Sequence, residues 1–268
     1  MDLGLSGRTA LVAASTDGLG LATARVLVAE GANVWIGGRD PARLAAALES
    51  LRAPERDGRR VGRVEGAVLD VTDAASIKAW VAGAAVAYGP AIDALAVNAG
   101  GPPPGLFIDL DDDAWRKAFE LLVLSAVRTI RESLPGLSAR GGSVAVFSST
   151  SVKEPIDGLV LSNSLRSAVV ALAKTLSVEL APRGVRVNSL APGRFATGRV
   201  ERLDKATAER SGLSADEVRA RSQAAIALRR YGEPDEFGRT AAWLLSPASS
   251  YLTGQLVTVD GGSLRGSW

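Results

Sequence analysis

Short apolar runs rich in β-branched residues alternate with longer amphipathic stretches along almost the whole chain. The apolar runs predict strands at Thr9–Ala13, Asn33–Ile36, Gly62–Leu69, Ala94–Val97, Ser143–Phe147, Arg186–Ser189 and Gln255–Val259. The amphipathic stretches predict helices at about Leu19–Glu30, Pro41–Leu51, Ala74–Tyr88, Asp112–Leu134, Leu159–Leu180 and Pro234–Leu245. Such alternation is typical of a parallel sheet covered by helices on both faces. We therefore expect one doubly wound α/β domain over residues 1–268, with a parallel seven-stranded sheet.

Two segments interrupt this alternation. The loop GGPPPGLFIDLDDD, residues 100–113, is rich in proline and glycine and is predicted not to be helical. A long, charged, helical insertion is predicted at about residues 198–231. Both segments leave the carboxyl edge of the predicted sheet, where open α/β sheets bind their ligands. They are expected to wall a substrate pocket, although an excursion over the solvated surface fits the same pattern.

The composition narrows the possible chemistry. With 47% apolar and 22% charged residues, the chain is typical of a soluble globular protein. No apolar run approaches the roughly 18 residues of a membrane-spanning helix. The first residues do not resemble a secretory signal, so we expect a cytoplasmic location and no membrane partner. The absence of histidine and cysteine excludes a Ser-His-Asp triad and a zinc site of nitrogen and sulfur ligands. A net charge of +2 from dispersed basic residues does not favour nucleic acid as a partner.

A glycine-containing turn follows the first predicted strand. Within AASTDGLGLATARVL, Gly18 and Gly20 lie where a strand passes into a helix, whose free amides can hold a pyrophosphate. Asp17 is a suitable N-cap for that helix. The cofactor-binding residues predicted in this turn are Ser15, Thr16, Gly18, Leu19 and Gly20.

A second informative stretch runs from Gly142 to Gly193. The strand GGSVAVFSS ends on Ser149, and a predicted helix and the segment GVRVNSLAPG follow. This layout resembles the short-chain dehydrogenase/reductase superfamily, in which a strand-end serine precedes a Tyr-x-x-x-Lys helix. The resemblance places the tyrosine position on Ser162, thirteen residues after Ser149, and the lysine position on Arg166. The chain therefore resembles an atypical member of the family that lacks the Tyr-x-x-x-Lys pair.

The resemblance implies a Rossmann-type fold and a nicotinamide cofactor. Gly38 stands where NAD-selective members carry an acidic residue, and Arg39 follows it. Because arginine pairs well with a 2′-phosphate, NADP is favoured, with NAD as the alternative. Further cofactor contacts implied by the resemblance are Asp70, Val71, Asn98, Ala99, Gly100, Arg166, Pro192, Gly193 and Thr197. Asp70 could equally cap the end of its strand. The family's Thr-Gly pair before the turn is replaced by Ala13 and Ala14, and the added methyl is expected to displace the turn.

The resemblance also implies a reaction. In the family, a tyrosine phenol protonates the carbonyl oxygen that receives the hydride. Of the family's four catalytic positions only Ser149 is retained, since the asparagine position falls on Leu122. The predicted catalytic residues are Ser149, Ser162 and Arg166. A serine alcohol is a weaker acid than a phenol, and arginine keeps its proton near neutrality, so Arg166 is expected to act electrostatically. Replacement acids suggested by position are Lys153, Glu154, Asp157, Arg194 and Tyr231.

Three functions are open at this point. The first is an NADP-dependent oxidoreductase, resembling β-ketoacyl-carrier-protein reductases, that acts on a small carbonyl or alcohol substrate with a non-standard proton donor. The second is a cofactor-binding or scaffold protein without redox activity. The third is a non-redox enzyme in which Arg166 or Arg194 holds an anionic substrate. The resemblance implies a homotetramer or homodimer, and Ser162 could be a small residue that packs its helix against another subunit.

Overall fold

The computed structural model describes residues 2–52 and 62–266. Its strands are β1 (Thr9–Val12), β2 (Asn33–Gly38), β3 (Val64–Val68), β4 (Ala94–Val97), β5 (Ser143–Phe147), β6 (Arg186–Pro192) and β7 (Leu256–Val259). They form one sheet in the order β3-β2-β1-β4-β5-β6-β7, and every neighbouring pair is parallel. The predicted seven-stranded parallel sheet is therefore confirmed.

Helices connect the strands. In the described residues they are α1 (Gly18–Ala29), α2 (Pro41–Leu51), α3 (Ala74–Tyr88), α4 (Asp112–Phe119), α5 (Ser125–Arg140), α6 (Val160–Glu179), α7 (Gly198–Ser211), α8 (Ala215–Ala225) and α9 (Pro234–Leu245). Carboxylates begin several of them: Asp40 accepts hydrogen bonds from backbone amides of α2, and Asp73 does the same for α3. Because these caps are readable in the sequence, the predicted bounds of α2 and α3 agree with the structure to the residue.

Both faces of the sheet are covered. Leu27 of α1 and Phe237 of α9 belong to a hydrophobic cluster on one face, to which α2 also contributes. Trp80 of α3 and Val169 of α6 belong to a second cluster on the other face, together with residues of α5. Successive residues of each central strand alternate between the two clusters. Burial on both faces explains why these strands are almost continuously apolar in the sequence.

One predicted helix differs from the structure. The stretch predicted as a single helix, Asp112–Leu134, is built from α4, a π-helical turn over Glu120–Leu124, and α5. α5 also continues past Pro135 and ends only where Gly141 adopts a left-handed conformation with φ of 71°. The predicted end at Leu134 is therefore wrong: the turn around Pro135 is supported by a neighbouring segment, since Ile92 donates its backbone N–H to the carbonyl of Gly136.

The two segments expected to wall a pocket both contain short helical structure. The proline- and glycine-rich loop includes one 3-10 turn, Phe107–Asp109, where no helical structure was predicted. The insertion consists of α7 and α8, separated at Gly212, which has φ of 69°. None of the helices in the described part of the chain is both long and apolar enough to cross a bilayer.

The strand order places a crevice at the carboxyl edge of the sheet. β1 lies between β2 and β4, so the chain leaves β1 toward one side and β4 toward the other. At such a switch point the connections diverge and leave room for a ligand. The glycine-containing turn after β1 and the segment Asn98–Gly101 after β4 both border this crevice.

Candidate active site

The turn after β1 begins α1 at the crevice. Gly18 has φ of 54°, and the Asp17 carboxylate caps the helix by accepting from the Gly18 amide at 2.7 Å. A Cβ on Gly20 would lie 2.6 Å from the Ala14 carbonyl oxygen, so no side chain fits there. The first amides of an α-helix have no partner within the helix and attract anions. The turn that contains Gly18, Leu19 and Gly20 can therefore hold a phosphate group.

Ala14 lies at the tightest point of this turn. It adopts φ of 46°, a left-handed conformation that glycine tolerates far better than alanine. The Asn98 side-chain amide donates to the Ala14 carbonyl at 3.0 Å and ties the turn to the end of β4. The alanine is thus accommodated with backbone strain in this turn.

Ser15 and Thr16, both predicted to bind the cofactor, contact the protein itself. The buried Ser15 hydroxyl donates to the Val12 carbonyl at 2.6 Å and accepts from the Gly37 amide at 3.1 Å. The Thr16 side chain lies against the α-carbon of Gly38, where an added Cβ would be 2.5 Å from its methyl group. Thr16 therefore leaves little room for an acidic side chain at position 38.

Asp70 forms the strand-end cap that the sequence left open. Its Oδ1 accepts from the Thr72 amide at 2.9 Å and from the Thr72 hydroxyl at 2.7 Å. Burial raises the pKa of Asp70, but the two hydrogen bonds from Thr72 and the charge of Arg39 outweigh it, so the pKa lies below its ordinary value. Val71 is buried beside this cap, and Arg39 is exposed at the end of β2.

Ser149 lies at the carboxyl end of β5. It is partly buried and begins a 3-10 turn, in which its hydroxyl oxygen accepts from the Ser151 amide at 3.1 Å. That bond uses an acceptor site and leaves the hydroxyl hydrogen able to point away from the turn. Ser149 can therefore donate a hydrogen bond into the crevice.

Arg166 reaches the same place from α6. Its Nη1 donates to the carbonyls of Phe147 at 2.9 Å and Ser148 at 3.3 Å. It lines a narrow cavity together with Asn98, Ala99 and Leu122. Burial, together with the nearby guanidinium of Arg199, lowers the pKa of Arg166 to about 10. Arg166 therefore remains a cation near neutral pH.

Ser162 lies one helical turn before Arg166. It is only 5% exposed within its own chain. Ser162 therefore presents little surface of its own for packing α6 against another subunit, the alternative that the sequence left open. Its neighbour in sequence Leu161 is fully buried as well, which places this first turn of α6 inside the protein.

The segment after β6 closes the crevice. Pro192 is the last residue of β6, and Gly193 donates its amide to the Val259 carbonyl at 2.9 Å. The Thr197 hydroxyl accepts from the Val200 amide at 3.4 Å and caps α7. A Cβ on Gly18 would lie 3.7 Å from the Thr197 methyl group, so the start of α7 faces the glycine-containing turn.

Comparison with known proteins gives the family. A family model described as Enoyl-(Acyl carrier protein) reductase matches residues 13–263. Dehydrogenase/reductase SDR family member 4 of Homo sapiens is 34% identical over 263 residues, which cover 97% of this chain and 88% of that protein. The chain belongs to the short-chain dehydrogenase/reductase family of oxidoreductases.

Two solved structures of short-chain dehydrogenase/reductases are especially informative. L-Sorbose reductase from Gluconobacter frateurii, complexed with NADPH and L-sorbose, is 29% identical and superposes with a TM-score of 0.91, covering 99% of this chain and 100% of that one. The NADPH-bound short chain oxidoreductase from Pseudomonas aeruginosa PAO1 is described as containing an atypical catalytic center. It is 32% identical, with a TM-score of 0.86, and covers 98% of this chain and 99% of that one.

The structure also brings a residue to the site of this short-chain dehydrogenase/reductase that the sequence did not single out. The guanidinium of Arg199, in the first turn of α7, lies directly against Gly101. A Cβ on Gly101 would be 1.9 Å from the Arg199 Cζ atom. Burial and the charge of Arg202 lower the pKa of Arg199. The only sequence signal for this contact was Gly101, the second glycine after Asn98, and a glycine alone does not show which side chain packs against it.

Two of the replacement acids suggested for this short-chain dehydrogenase/reductase, Tyr231 and Arg194, bind the same carboxylate, that of Asp204. The buried Tyr231 hydroxyl donates to Asp204 Oδ2 at 2.8 Å, and Arg194 pairs with Asp204 Oδ1 at 2.6 Å. Lys153, Glu154 and Asp157 are exposed on the loop before α6. None of these contacts directs an acid toward Ser149.

Proposed function

We propose that this chain is an NADPH-dependent reductase of small carbonyl compounds that works without the tyrosine of its family as proton donor. One observation carries the proposal: Ser149 lies at the carboxyl end of β5, and the carbonyls of the two residues before it hold the Arg166 guanidinium, which shares a cavity with Asn98. Two hydrogen-bond donors at the switch point of a doubly wound sheet suit a carbonyl oxygen that gains negative charge.

The residues present fit an NADPH molecule. The amides at the start of α1 suit its pyrophosphate, and the absence of a side chain at Gly20 lets this turn pack closely against Asn98. Thr16 leaves little room for an acidic residue at position 38, while Arg39 offers a forked donor to a 2′-phosphate. Asp70, Val71, Asn98, Ala99, Gly100, Pro192, Gly193 and Thr197 would complete the binding surface. Similar structures solved with NADPH support this assignment.

When bound, NADPH supplies the hydride. Ser149 would hold the substrate carbonyl through its free hydrogen, since its oxygen already accepts from Ser151. Arg166 would stabilise the developing alkoxide by its charge and would not give up a proton, because it is a cation near neutrality. The alkoxide then takes its proton from water. Replacing a phenol by water is expected to slow turnover about 10²- to 10⁴-fold relative to relatives that have one.

The contacts of Arg166 also favour a second function. Arg166 donates to two backbone carbonyls of β5, and Leu122 fills the adjacent cavity wall with an apolar side chain. Such contacts are typical of an arginine that stabilises the fold by holding backbone carbonyls. They favour a cofactor-binding protein without redox activity as the second candidate.

NADPH consumption separates the two functions. Purified protein is supplied with NADPH and a panel of aldehydes and ketones, and loss of nicotinamide absorbance is followed. Reductase activity should fall about 10²- to 10³-fold in Ser149→Ala, the cost of losing one oxyanion donor. Ser164→Ala, an exposed serine on α6, is the matched control. Tight NADPH binding without consumption on any carbonyl would favour the second function, and absence of NADPH binding would contradict both.

A further inference from the structure

Two arginines face the crevice without a carboxylate partner. In residues 2–52 and 62–266, neither Arg166 nor Arg199 forms an ion pair. Two other arginines of this region do form ion pairs: Arg194 pairs with Asp204, and Arg230 pairs with Glu236. Among the described residues, Arg166 and Arg199 therefore have no carboxylate to compensate their charge.

Both guanidiniums lie along the segment that follows β4. Arg166 shares a cavity with Asn98 and Ala99, and Arg199 lies against Gly101 two residues further on. They come from different elements, α6 and the first turn of α7, so they approach this segment separately. The two charges are close enough for Arg199 to lower the pKa of Arg166.

Holding two like charges together while removing them from water costs free energy. An anion bound at Arg199 would offset that cost, and the planar fork of a guanidinium matches a carboxylate in two parallel hydrogen bonds. The glycine at position 101 lets the Arg199 fork lie flat against the backbone, because any side chain there would displace it. The Arg199 fork can thus pair with a planar anion.

The adjoining rim is apolar. Leu106, Phe107 and Ile108 are exposed on the loop after Gly105, and Gly105 forms a bridge to Leu159 at the start of α6. This bridge ties the start of the loop to the N-cap of α6, the helix that carries Arg166. A ligand with a carboxylate at one end and an apolar or aromatic body would contact both parts.

We propose that the substrate of this reductase is a carbonyl compound that carries a carboxylate, and that Arg199 determines this specificity by binding that carboxylate. The proposal rests on the reductase function proposed above. In it, Ser149 holds the carbonyl oxygen while Arg199 holds the far end of the molecule, so Arg199 sets substrate affinity and does not take part in hydride or proton transfer.

Matched probes test this proposal. 4-Formylbenzoate and its methyl ester are similar aldehydes, and only the first has a carboxylate. The wild-type enzyme should favour 4-formylbenzoate, and Arg199→Gln should raise the KM for it about 10- to 100-fold, the loss of a charged hydrogen bond. The KM for the methyl ester should change by no more than about twofold, and kcat for both should be little affected.

Binding measurements keep the test independent of turnover. Calorimetry with benzoate and with benzamide, in the presence of NADP⁺, should give tighter binding of benzoate, and Arg199→Gln should remove that preference. Lys205→Gln, which removes one exposed positive charge from the same helix, is the control and should retain it. If Arg199→Gln weakens NADPH binding and leaves benzoate binding unchanged, Arg199 serves the cofactor phosphates and the proposal is wrong.

The same data separate the two proposals. Turnover of both aldehydes with no selective effect of Arg199→Gln would leave the reductase function and overturn the carboxylate specificity. Selective benzoate binding that depends on Arg199, with no turnover of either aldehyde, would leave the anion site and contradict the reductase function. Equal binding of benzoate and benzamide by the wild-type protein overturns the anion site itself.

Discussion

The Asn98 side-chain amide donates a 3.0 Å hydrogen bond to the carbonyl of Ala14, which joins the end of β4 to the turn after β1. These two segments flank the switch point, so the bond fixes the width of the crevice in which the cofactor is proposed to lie. A Cβ on Gly20 would lie 2.9 Å from the same amide nitrogen, so Asn98 is packed on both sides.

Removing this bond should affect stability and cofactor binding together. Asn98→Ala leaves the Ala14 carbonyl without its side-chain donor, and we expect the free energy of unfolding to fall by about 1 kcal/mol. NADPH affinity should fall as well, because the turn after β1 loses its support. Urea denaturation and a fluorescence titration with NADPH measure the two effects. Asn33→Ala, which removes a longer 3.4 Å bond at the opposite edge of the sheet, should leave NADPH affinity unchanged.

Ala14→Gly should make the protein more stable. Ala14 has φ of 46°, which costs an alanine about 1–2 kcal/mol more than a glycine. Glycine's greater freedom in the unfolded chain returns part of this gain, so a net increase of about 0.5–1 kcal/mol is expected. The neighbouring Ala13→Gly is the control: Ala13 is buried in the core with ordinary φ, and its loss should destabilise. Destabilisation by Ala14→Gly would show that the left-handed φ carries no strain.

Arg39 should decide between the two nicotinamide cofactors. It is exposed at the end of β2, next to a position where Thr16 crowds out side chains. Arg39→Ala should weaken NADPH binding about 10-fold or more, because a charged hydrogen bond to the 2′-phosphate is lost. NADH has no such phosphate, so its affinity should be nearly unchanged. Parallel titrations with both cofactors measure this, with Lys78→Ala, an exposed cation on α3, as control. Equal losses for NADPH and NADH would assign Arg39 a structural role.

Much of this architecture could be predicted from the sequence because its signals are local. The apolar runs of β4 and β5 and the caps Asp40 and Asp73 are each contained in a few neighbouring residues. The predicted helix end at Leu134 was wrong for the same reason. Proline ordinarily ends a helix, but α5 continues past Pro135 because Ile92, in the loop before β4, donates to the carbonyl of Gly136.

The candidate site was only partly predictable. Ser149 and Arg166 follow from spacing along one stretch of chain, and the structure brings them to the same strand end. Arg199 could not be predicted, because its position depends on how α7 lies across Gly101, almost a hundred residues earlier in the chain. The left-handed conformation of Ala14 was likewise hidden, since alanine gives no sign of φ in the sequence.

Glu236 should contribute to stability at acidic pH. Hydrogen bonds from Arg230 and from the Glu233 amide lower its pKa from 4.5 to about 2. Because the folded-state pKa lies below the ordinary one, this stabilisation is complete above pH 4.5 and is lost as the pH falls toward 2. Glu236→Gln should therefore be less stable at neutral pH and should lose less stability across that window. Denaturant midpoints measured against pH, with Glu209→Gln of α7 as control, test this; parallel profiles for Glu236→Gln and wild type would contradict it.

Tyr231 should prove dispensable for catalysis. Its buried hydroxyl donates to Asp204, which also pairs with Arg194, and burial raises the pKa of the phenol. A phenol held in this way is a poor proton donor at neutral pH. We expect Tyr231→Phe to retain kcat within about twofold while losing about 1 kcal/mol of stability with the hydrogen bond. Turnover and urea denaturation of the same preparation separate the effects. A fall in kcat of about 10² or more at unchanged stability would instead identify Tyr231 as the acid that replaces the family's tyrosine.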